Sequence, residues 1–383
     1  MIYLDHAATT VLKPRCVAEA VAEAMTSLGN SGRGAHGASL GASRLVYETR
    51  ALLSDFFGAD GPEQVAFTAN ATMALNMAAE GLVEPGDHVI TTGMEHNSVL
   101  RPLYRKERQG AELTILPADK RGCISLKDLE QAIRPETKAF FCTHASNVTG
   151  NVNDLARAGE ICRRHGILFV ADVSQTGGIL PVDMKAMNVD VLCFTGHKGL
   201  LGPQGTGGIC LRRGIRLRPL LVGGSGIRSY EKEHPDQMPE ALEAGTLNVH
   251  GIAGLHAAVS CIRQQGREKL FRRELSLMQM FYERVSRLPG VIIYGDFGEE
   301  AAVRAPIVSL NLGQEDSAWT AGELSARFGI ETRAGAHCAP LMHRALGTEK
   351  QGAVRFSFSH MNTEAEVEAA ADAVEVLSRE AAL

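Results

Sequence analysis

The stretch VDVLCFTGHKGLLGPQGTGG, residues 189–208, decides the fold and places the candidate site. Its apolar run up to Phe194 is typical of a strand buried in a parallel sheet. Thr195, His197 and Lys198 follow, and then a glycine-rich loop. A lysine here either marks the point where a strand reaches solvent or is an amine kept out of water for covalent chemistry.

Similar apolar runs recur along the first two thirds of the chain. They are QVAFTA (64–69), HVITTG (88–93), ELTILP (112–117), KAFFCTHAS (138–146), ILFVADVS (167–174) and GGICLRR (207–213). Residues 71–82 and 155–166, between two pairs of these runs, have helical periodicity. Strands that alternate with helices predict an α/β fold with a mostly parallel, doubly wound sheet. The ligands of such sheets bind at the carboxyl ends of the strands.

The pattern changes after about residue 250. Residues 251–290 read as a long amphipathic helical stretch, which we expect to break near Gly266. Three alternating strands follow, at 291–296, 305–312 and 353–359, together with two further helical segments. This part of the chain predicts a smaller α+β domain beside the large one.

The composition is that of a soluble globular protein, with 45% hydrophobic and 22% charged residues in 383. Thirty-nine basic and 44 acidic residues give a net charge of −5, which provides neither a basic face for nucleic acid nor a polybasic membrane anchor. No apolar run approaches the ~18 residues of a membrane span. The start, MIYLDHAATT, lacks the features of a signal peptide. Eight cysteines without a CxxC pair predict a cytoplasmic protein without disulfides.

Polar side chains gather just after the predicted strands, where a parallel sheet would bring them to one edge. They are Asn70, Ala71, Thr72, Glu95, His96, Asn147, Asp172, Ser174, Gln175, His197 and Lys198. Several of them titrate, so the set predicts a catalytic site.

A desolvated Lys198 has its pKa lowered, which suits a Schiff base to pyridoxal 5′-phosphate (PLP). PLP needs a carboxylate at its pyridine nitrogen, and Asp172 ends a predicted strand 26 residues earlier. A simple helix cap is the alternative for Asp172. Gln175 is suited to donate to the phenolic oxygen, and His96 either stacks on the ring or is an ordinary surface histidine.

The phosphate of PLP requires backbone N–H groups at the start of a helix. Ala71 and Thr72 open the predicted helix 71–82 and are suited to supply them. His197, beside the lysine, offers a further donor.

Two residues of the second domain carry possible chemistry. Cys338, within ETRAGAHCAPLMHRALG (331–347), is either a small core residue or a nucleophile activated by nearby positive charge. A zinc site of His337, Cys338 and His343 lacks a fourth ligand, so we predict no metal. Arg355 either binds a substrate carboxylate or lies at the edge of a strand on the surface.

Taken together, these motifs resemble the class V aminotransferase group of fold-type I PLP enzymes, and within it the cysteine desulfurases and selenocysteine lyases. The motifs are YLDHAATT (3–10), MEHNSVLRP (94–102), ADVSQ (171–175), FTGHKGLLGPQGTGG (194–208) and EAGTLNV (243–249). RAGAHCA (333–339) is similar to the Arg-x-Gly-x-His-Cys-Ala loop of the SUF-type (group II) desulfurases. The resemblance implies a seven-stranded, mostly parallel sheet in a large domain, 14–251, and a small α+β domain formed by 1–13 with 252–383.

The resemblance also implies a role for each site residue. Lys198 would form the Schiff base and act as base, Asp172 would pair with the pyridine nitrogen, Gln175 would bind the phenolic oxygen and His96 would stack. The phosphate would be held by Ala71, Thr72, Thr195 and His197, with Thr246 from the other subunit of a homodimer. The substrate carboxylate would be bound by Asn147 and Arg355, and the substrate sulfur would be attacked by Cys338.

The implied activity is that of a cysteine desulfurase, which converts L-cysteine to L-alanine, keeps the sulfur as a persulfide on Cys338 and passes it to an acceptor protein. The alternatives are a selenocysteine lyase, another class V aminotransferase or cystine lyase, and a non-catalytic sulfur-relay scaffold. A dinucleotide-binding enzyme is disfavoured because no GxGxxG follows an N-terminal strand. Two positions depart from the family pattern. His6 stands where Asn is usual, and Ala336 replaces the first histidine of a frequent His-His-Cys, which removes one possible proton donor near the thiol.

Overall fold

Ten of the twelve strands that the structure describes lie where the apolar runs predict them, and the two-residue strands Ile2–Tyr3 and Ile330–Glu331 were not predicted. The computed structural model describes residues 1–32, 34–298 and 303–381. Its strands are β1 Ile2–Tyr3, β2 Val65–Thr68, β3 His88–Thr92, β4 Glu112–Leu116, β5 Thr137–Thr143, β6 Leu168–Asp172, β7 Val191–Thr195, β8 Gly207–Leu211, β9 Val291–Tyr294, β10 Ile307–Leu312, β11 Ile330–Glu331 and β12 Val354–Ser357. The helices are α1 Arg15–Ser27, α2 Gly37–Phe57, α3 Ala71–Leu82, α4 Asn97–Arg108, α5 Leu126–Ala132, α6 Leu155–His165, α7 Val249–Gln265, α8 Arg267–Val285, α9 Ser317–Phe328, α10 Pro340–Leu346 and α11 Glu364–Ala381.

The large sheet has seven strands in the order β2-β8-β7-β6-β5-β3-β4. Only β8 runs antiparallel to its neighbours in this sheet. The predicted mostly parallel, seven-stranded sheet is therefore confirmed. The parallel arrangement brings the carboxyl ends of β5, β6 and β7 to one edge, at Thr143, Asp172 and Thr195.

Both faces of this sheet are covered, because successive residues of a strand point to opposite sides. Phe140 and Phe169 stack at 5.7 Å between ring centroids and pack into one apolar cluster, which includes α6 residues. Phe141 and Val170, the next residue of each strand, pack into the cluster on the other face with α3 and α4. The two layers of helices complete the α/β architecture.

The smaller unit is an antiparallel sheet, β12-β10-β9, covered by helices of the carboxyl-terminal half. Phe281 of α8 packs on Phe356 of β12 with 4.6 Å between ring centroids. The predicted helix break is confirmed at Gly266, where α7 ends and α8 begins.

The amino terminus joins the smaller unit. β1 pairs in parallel with β11, and the Ser357 N–H donates to the Leu4 carbonyl at 2.7 Å. The division into 14–251 and 1–13 with 252–383 remains a prediction. α7 crosses the boundary at residue 251, and its Ile252, Leu255 and Val259 pack into a core of the large sheet. No helix in the part of the chain that the structure describes has the length and apolarity needed to cross a membrane.

Candidate active site

A cavity opens at the carboxyl edge of the large sheet and collects the side chains predicted from the strand ends. Its walls are formed by Asn70, Ala71, Thr72, His96, Ser98, Thr143, Ala145, Asn147, Asp172, Ser174, Gln175, Thr195, His197 and Lys198. Glu95 is absent from the walls because it is fully buried behind them. The topology therefore brings together residues that are more than 120 positions apart along the chain, as Asn70 and Lys198 are.

Lys198 lies on the loop after β7, and only part of its side chain is accessible to solvent. The loop is closed by hydrogen bonds from the Gly196 N–H to the Thr206 carbonyl and from the Leu201 N–H to the Lys198 carbonyl, both 2.8 Å long. Burial lowers the pKa of Lys198 to about 8, although the charge of Asp172 acts in the opposite direction. The amine is therefore half deprotonated at about pH 8, whereas an ordinary lysine remains almost fully protonated there, and the neutral form is the one that acts as a nucleophile or base.

The amino-terminal segment fixes the residue beside the lysine. The His197 carbonyl accepts hydrogen bonds from the Thr10 N–H at 3.1 Å, the Thr9 hydroxyl at 3.2 Å and Lys13 Nζ at 3.0 Å. Burial lowers the pKa of His197 to about 4, so its ring is neutral at physiological pH. This clamp was not predicted, because Thr9, Thr10 and Lys13 belong to no periodic pattern.

Asp172 presents one free oxygen to the cavity. Its Oδ1 accepts from the Ser174 N–H at 2.9 Å and the Ser174 hydroxyl at 2.5 Å, whereas no described residue donates to Oδ2. No helix begins within residues 173–190, so the helix-cap alternative for Asp172 is wrong. Burial raises the pKa of Asp172, while the two bonds from Ser174 and the charge of Lys198 oppose the rise. An N–H⁺ group from a ligand is the partner that such a carboxylate lacks.

The opposite end of the cavity suits an anion. Asn70 caps the start of α3, because its Oδ1 accepts a hydrogen bond from the Met73 N–H at 3.0 Å. Ala71 and Thr72 lie in the first turn of the helix. A side chain on Gly207 would place its Cβ 2.8 Å from the Asn70 Cα, so glycine is required for the helix start to lie against β8. The Thr195 hydroxyl is buried and has no hydrogen-bond partner among the residues that the structure describes. Free N–H groups at the helix start and an unpaired hydroxyl fit a phosphate group.

His96 has a defined tautomer. Its Nδ1 accepts from the Ser98 N–H at 3.0 Å, and since a backbone N–H can only donate, the proton of the neutral ring is on Nε2. Burial, and to a smaller extent the charges of Lys198 and Arg333, lower the pKa of His96 to about 4. His96 is therefore neutral at physiological pH, with an N–H group available to a ligand.

Glu95 holds two strand ends together behind the cavity. Its Oε1 accepts from the Thr92 hydroxyl at 2.7 Å and from the Thr143 N–H at 2.8 Å, which ties the end of β3 to the end of β5. Burial raises its pKa to about 8, so the carboxyl group is largely protonated at neutral pH.

Cys338 is exposed, which excludes the core alternative. His337 and Cys338 both have left-handed backbone conformations, with φ of 48° and 56°. Residues other than glycine rarely adopt this conformation. Asn147 Nδ2 donates to the His337 carbonyl, and the Asn97 N–H donates to the Cys338 carbonyl, both at 2.7 Å. Since Asn147 lines the cavity, these bonds attach the cysteine loop to the wall of the site.

The two histidines of the zinc alternative are each held by one hydrogen bond. His337 Nε2 bonds the Ala353 carbonyl at 2.9 Å, and His343 Nδ1 bonds the Thr348 hydroxyl at 2.7 Å. The described residues contain no cluster of three or more potential metal ligands.

Arg355 is fully buried, so the surface alternative is wrong for this residue. Its Nη2 pairs with Asp5 Oδ1 at 2.6 Å, and its Nη1 donates to the Asn147 carbonyl at 3.0 Å. No acceptor for its Nε lies in the described part of the chain. Burial lowers the pKa of Arg355. The guanidinium thus joins the amino terminus, the smaller sheet and the cavity wall. Arg333, which belongs to the positive charge near Cys338 in the sequence, is exposed, and its charge lowers the pKa of Lys198.

Thr246 lies away from the cavity of its own chain. It is exposed and lines a separate groove that also contains Tyr47 and Arg50. Its segment is anchored by Glu243, which pairs with Arg50 through two bonds of 2.8 and 2.5 Å. Within one chain, therefore, Thr246 does not meet the other predicted phosphate contacts.

A comparison with known proteins identifies the family of this chain. The family model described as "Aminotransferase class-V" matches residues 2–370. This chain belongs to the class-V aminotransferase family. The predicted membership of this family is thereby confirmed. Two of the curated relatives are cysteine desulfurases. A probable cysteine desulfurase of Methanothermobacter thermautotrophicus is 32% identical over 98% of this chain and 94% of the relative. The cysteine desulfurase IscS of Klebsiella pneumoniae is 32% identical over 97% of this chain and 91% of its own.

Solved structures give the same result for this class-V aminotransferase. An apo cysteine desulfurase from Thermococcus onnurineus superposes with a TM-score of 0.91 at 32% identity, covering 99% of this chain and 95% of the other. The cysteine desulfurase CsdA from Escherichia coli, in an S-sulfonic acid form, superposes with a TM-score of 0.88 at 27% identity, covering 99% and 94%.

Proposed function

We propose that this class-V aminotransferase is a PLP-dependent cysteine desulfurase that converts L-cysteine to L-alanine. The observation that carries the proposal is the cavity in which Lys198 and Asp172 lie together, with the exposed Cys338 attached to its wall through Asn147. Relatives and structural neighbours that span nearly the whole chain are cysteine desulfurases, and the family is generally PLP-dependent.

The described residues fit PLP at each of its polar ends. Asp172 Oδ2 is free for the pyridine nitrogen, and the Thr195 hydroxyl and the start of α3 are free for the phosphate. Gln175 donates one amide hydrogen to the Ala7 carbonyl at 3.1 Å and keeps a second for the phenolic oxygen. When bound, PLP would supply an electron sink for the substrate carbon, which Asp172 would strengthen by holding the ring nitrogen protonated.

The remaining residues would move protons and sulfur. Lys198, with its lowered pKa, would take the α-proton of the substrate, and neutral His96 would present its Nε2–H to the reacting groups. Arg355 and Asn147 would bind the substrate carboxylate. The Cys338 thiolate would attack the substrate sulfur, so that the C–S bond breaks and the sulfur stays on the protein as a persulfide. An acceptor protein would then collect it from the exposed loop.

A single-turnover assay tests the activity. The PLP-loaded protein, mixed with one equivalent of L-cysteine and no reductant, is expected to yield one L-alanine and one sulfane sulfur on the peptide that contains Cys338. Alanine is quantified by chromatography and the persulfide by mass spectrometry. Alanine without protein-bound sulfur would favour a lyase, and pyruvate with ammonia would favour a β-eliminating enzyme.

The lowered pKa of Lys198 predicts a pH dependence for cofactor uptake. Only the neutral amine attacks an aldehyde, so the rate at which the cofactor-free protein takes up PLP should rise about tenfold per pH unit below the pKa and level off above it. The midpoint is expected at about pH 8. Because the Asp172 charge favours the ammonium form, Asp172→Asn should move the midpoint to lower pH. A midpoint near the ordinary lysine value of 10.5 would contradict the burial of this amine.

We also propose a homodimer in which Thr246 of each chain completes the phosphate site of the other, in the cytoplasm as the sequence predicts. Thr246 is exposed and lies outside the cavity of its own chain, which supports a role in the other subunit. Thr246→Glu would place a negative charge against the phosphate, and Lys198→Ala would remove the base, so each homodimer should be inactive. Co-expression should restore about a quarter of wild-type activity, since half the dimers are hybrids with one intact site. Hybrids that form without any activity would contradict a shared site.

A further inference from the structure

Two free thiols outside the active site lie against each other between α1 and α7. Cys16 is in the first turn of α1, and its thiol lies next to the thiol of Cys261 on α7; burial, and then the neighbouring Cys261, raise the pKa of Cys16. The Cys16 Sγ also lies 4.0 Å from the Ala257 carbonyl, one turn before Cys261. On the other side, Gln265 Nε2 donates to the Cys261 Sγ at 2.9 Å. The two sulfur atoms therefore belong to one small polar cluster.

The two helices approach each other closely near these side chains. A Cβ on Gly254 of α7 would lie 2.7 Å from Cγ2 of Val21 of α1, so at this point the helices are as close as glycine allows. Val17 of α1 and Ala258 of α7 pack in the same apolar cluster nearer to the thiols. Small residues along such a contact bring Cα atoms toward the 4.4–6.8 Å that a disulfide requires.

The pair is also accessible to a soluble oxidant. Cys16 and Cys338 are the two exposed cysteines, and Cys261 is partly exposed. Cys123 is partly exposed as well, but the hydrogen-bond partners of its Sγ are Asn151 at 3.4 Å and Asp296 at 3.8 Å, not a second cysteine. The other four cysteines are buried, at Cys142, Cys162, Cys193 and Cys210.

We propose that Cys16 and Cys261 are a redox modification site, which a hydroperoxide converts to a reversible disulfide that clamps α1 to α7. The hydroperoxide transfers one oxygen to the Cys16 thiol, which becomes a sulfenic acid, and is itself reduced to the alcohol, or to water where it is hydrogen peroxide. The Cys261 thiol then attacks the sulfenic sulfur, and a water leaves as the S–S bond forms. A dithiol reductant reverses the reaction by exchange.

The clamp would act on the segment that holds the active-site loop. α1 begins directly after Thr9, Thr10 and Lys13, which bind the His197 carbonyl beside Lys198. A disulfide fixes the start of α1 to the core of the large domain and lowers the entropy of the unfolded chain. The segment is therefore retained on the site under the oxidising conditions that also threaten Cys338.

Peptide mapping of the oxidised protein tests the proposal without relying on the activity. The PLP-loaded Cys338→Ser protein is treated with a small excess of hydrogen peroxide, and thiols are counted before and after. We expect the loss of two thiols per chain, a crosslinked peptide pair that contains Cys16 and Cys261, and full recovery with dithiothreitol. Cys123→Ser, added to this protein, should change none of these results, whereas Cys16→Ser should abolish the crosslink.

Thermal unfolding supplies a second measurement. The oxidised protein should unfold at a higher temperature than the reduced one, and the increase should be absent in Cys16→Ser and in Cys261→Ser. A disulfide that joins Cys16 of two chains would overturn the proposal. Glutathione in the same tube serves as an internal control for oxidation. If both thiols remain free after the glutathione has been fully oxidised, the proposal is also overturned.

Discussion

Lys198→Ala is expected to lower the rate of alanine formation from L-cysteine at least about a thousandfold. The substitution removes the group that would carry the cofactor and take the α-proton, and general acid–base catalysis alone contributes about 10²–10⁴. Lys198→Arg should be equally inactive, because its guanidinium keeps the positive charge beside Asp172 but neither condenses with an aldehyde nor gives up a proton. Steady-state alanine assays on PLP-saturated protein measure the effect.

The matched control is Lys185→Ala, the same substitution on a lysine whose side chain is 64% exposed and pairs with Asp60. It should leave the rate unchanged. Circular dichroism should show that all three variants are folded. Activity within tenfold of wild type in a folded Lys198→Ala protein would exclude Lys198 as the base.

Cys338→Ser should separate the desulfurase from the selenocysteine lyase. Desulfurase activity is expected to fall at least about a hundredfold, because a serine hydroxyl does not become a nucleophilic anion at neutral pH as a thiol does. Selenide release from L-selenocysteine should survive, since a selenolate leaves without help from the protein. The two activities are measured on the same preparation by alanine formation from each substrate.

Cys16→Ser is the control for this second prediction, because Cys16 is the other exposed cysteine and lies outside the cavity. It should retain full desulfurase activity in the presence of a reductant. Undiminished desulfuration by Cys338→Ser would contradict the persulfide step, and loss of both activities in a folded protein would show that Cys338 also shapes the site.

The strands and the edge at which they meet follow from local signals. Runs such as 167–174 and 189–196 are continuous and apolar, and the polar residues after them mark where each strand ends. Asp172 and Lys198 could therefore be assigned to one site before any coordinates existed, since parallel strands share one carboxyl edge. The helix break at Gly266 was equally local.

Contacts between distant parts of the chain have no comparable local signal in the sequence. Arg355 pairs with Asp5, 350 residues away, and nothing in the alternating pattern of β12 distinguishes this buried arginine from an exposed one. Thr9, Thr10 and Lys13 act through the His197 carbonyl, and a backbone acceptor has no sequence signature. Tertiary packing thus determines the features that periodicity could not predict.

The measurement that tests the central claim most directly is peptide mapping after borohydride reduction of the PLP-loaded protein. Reduction fixes the cofactor to whichever amine carries it, and tryptic peptides are then identified by mass. The pyridoxyl group is expected on Lys198 alone, at one per chain. Attachment to another lysine such as Lys13, or a protein that retains no cofactor after reduction, would contradict the account.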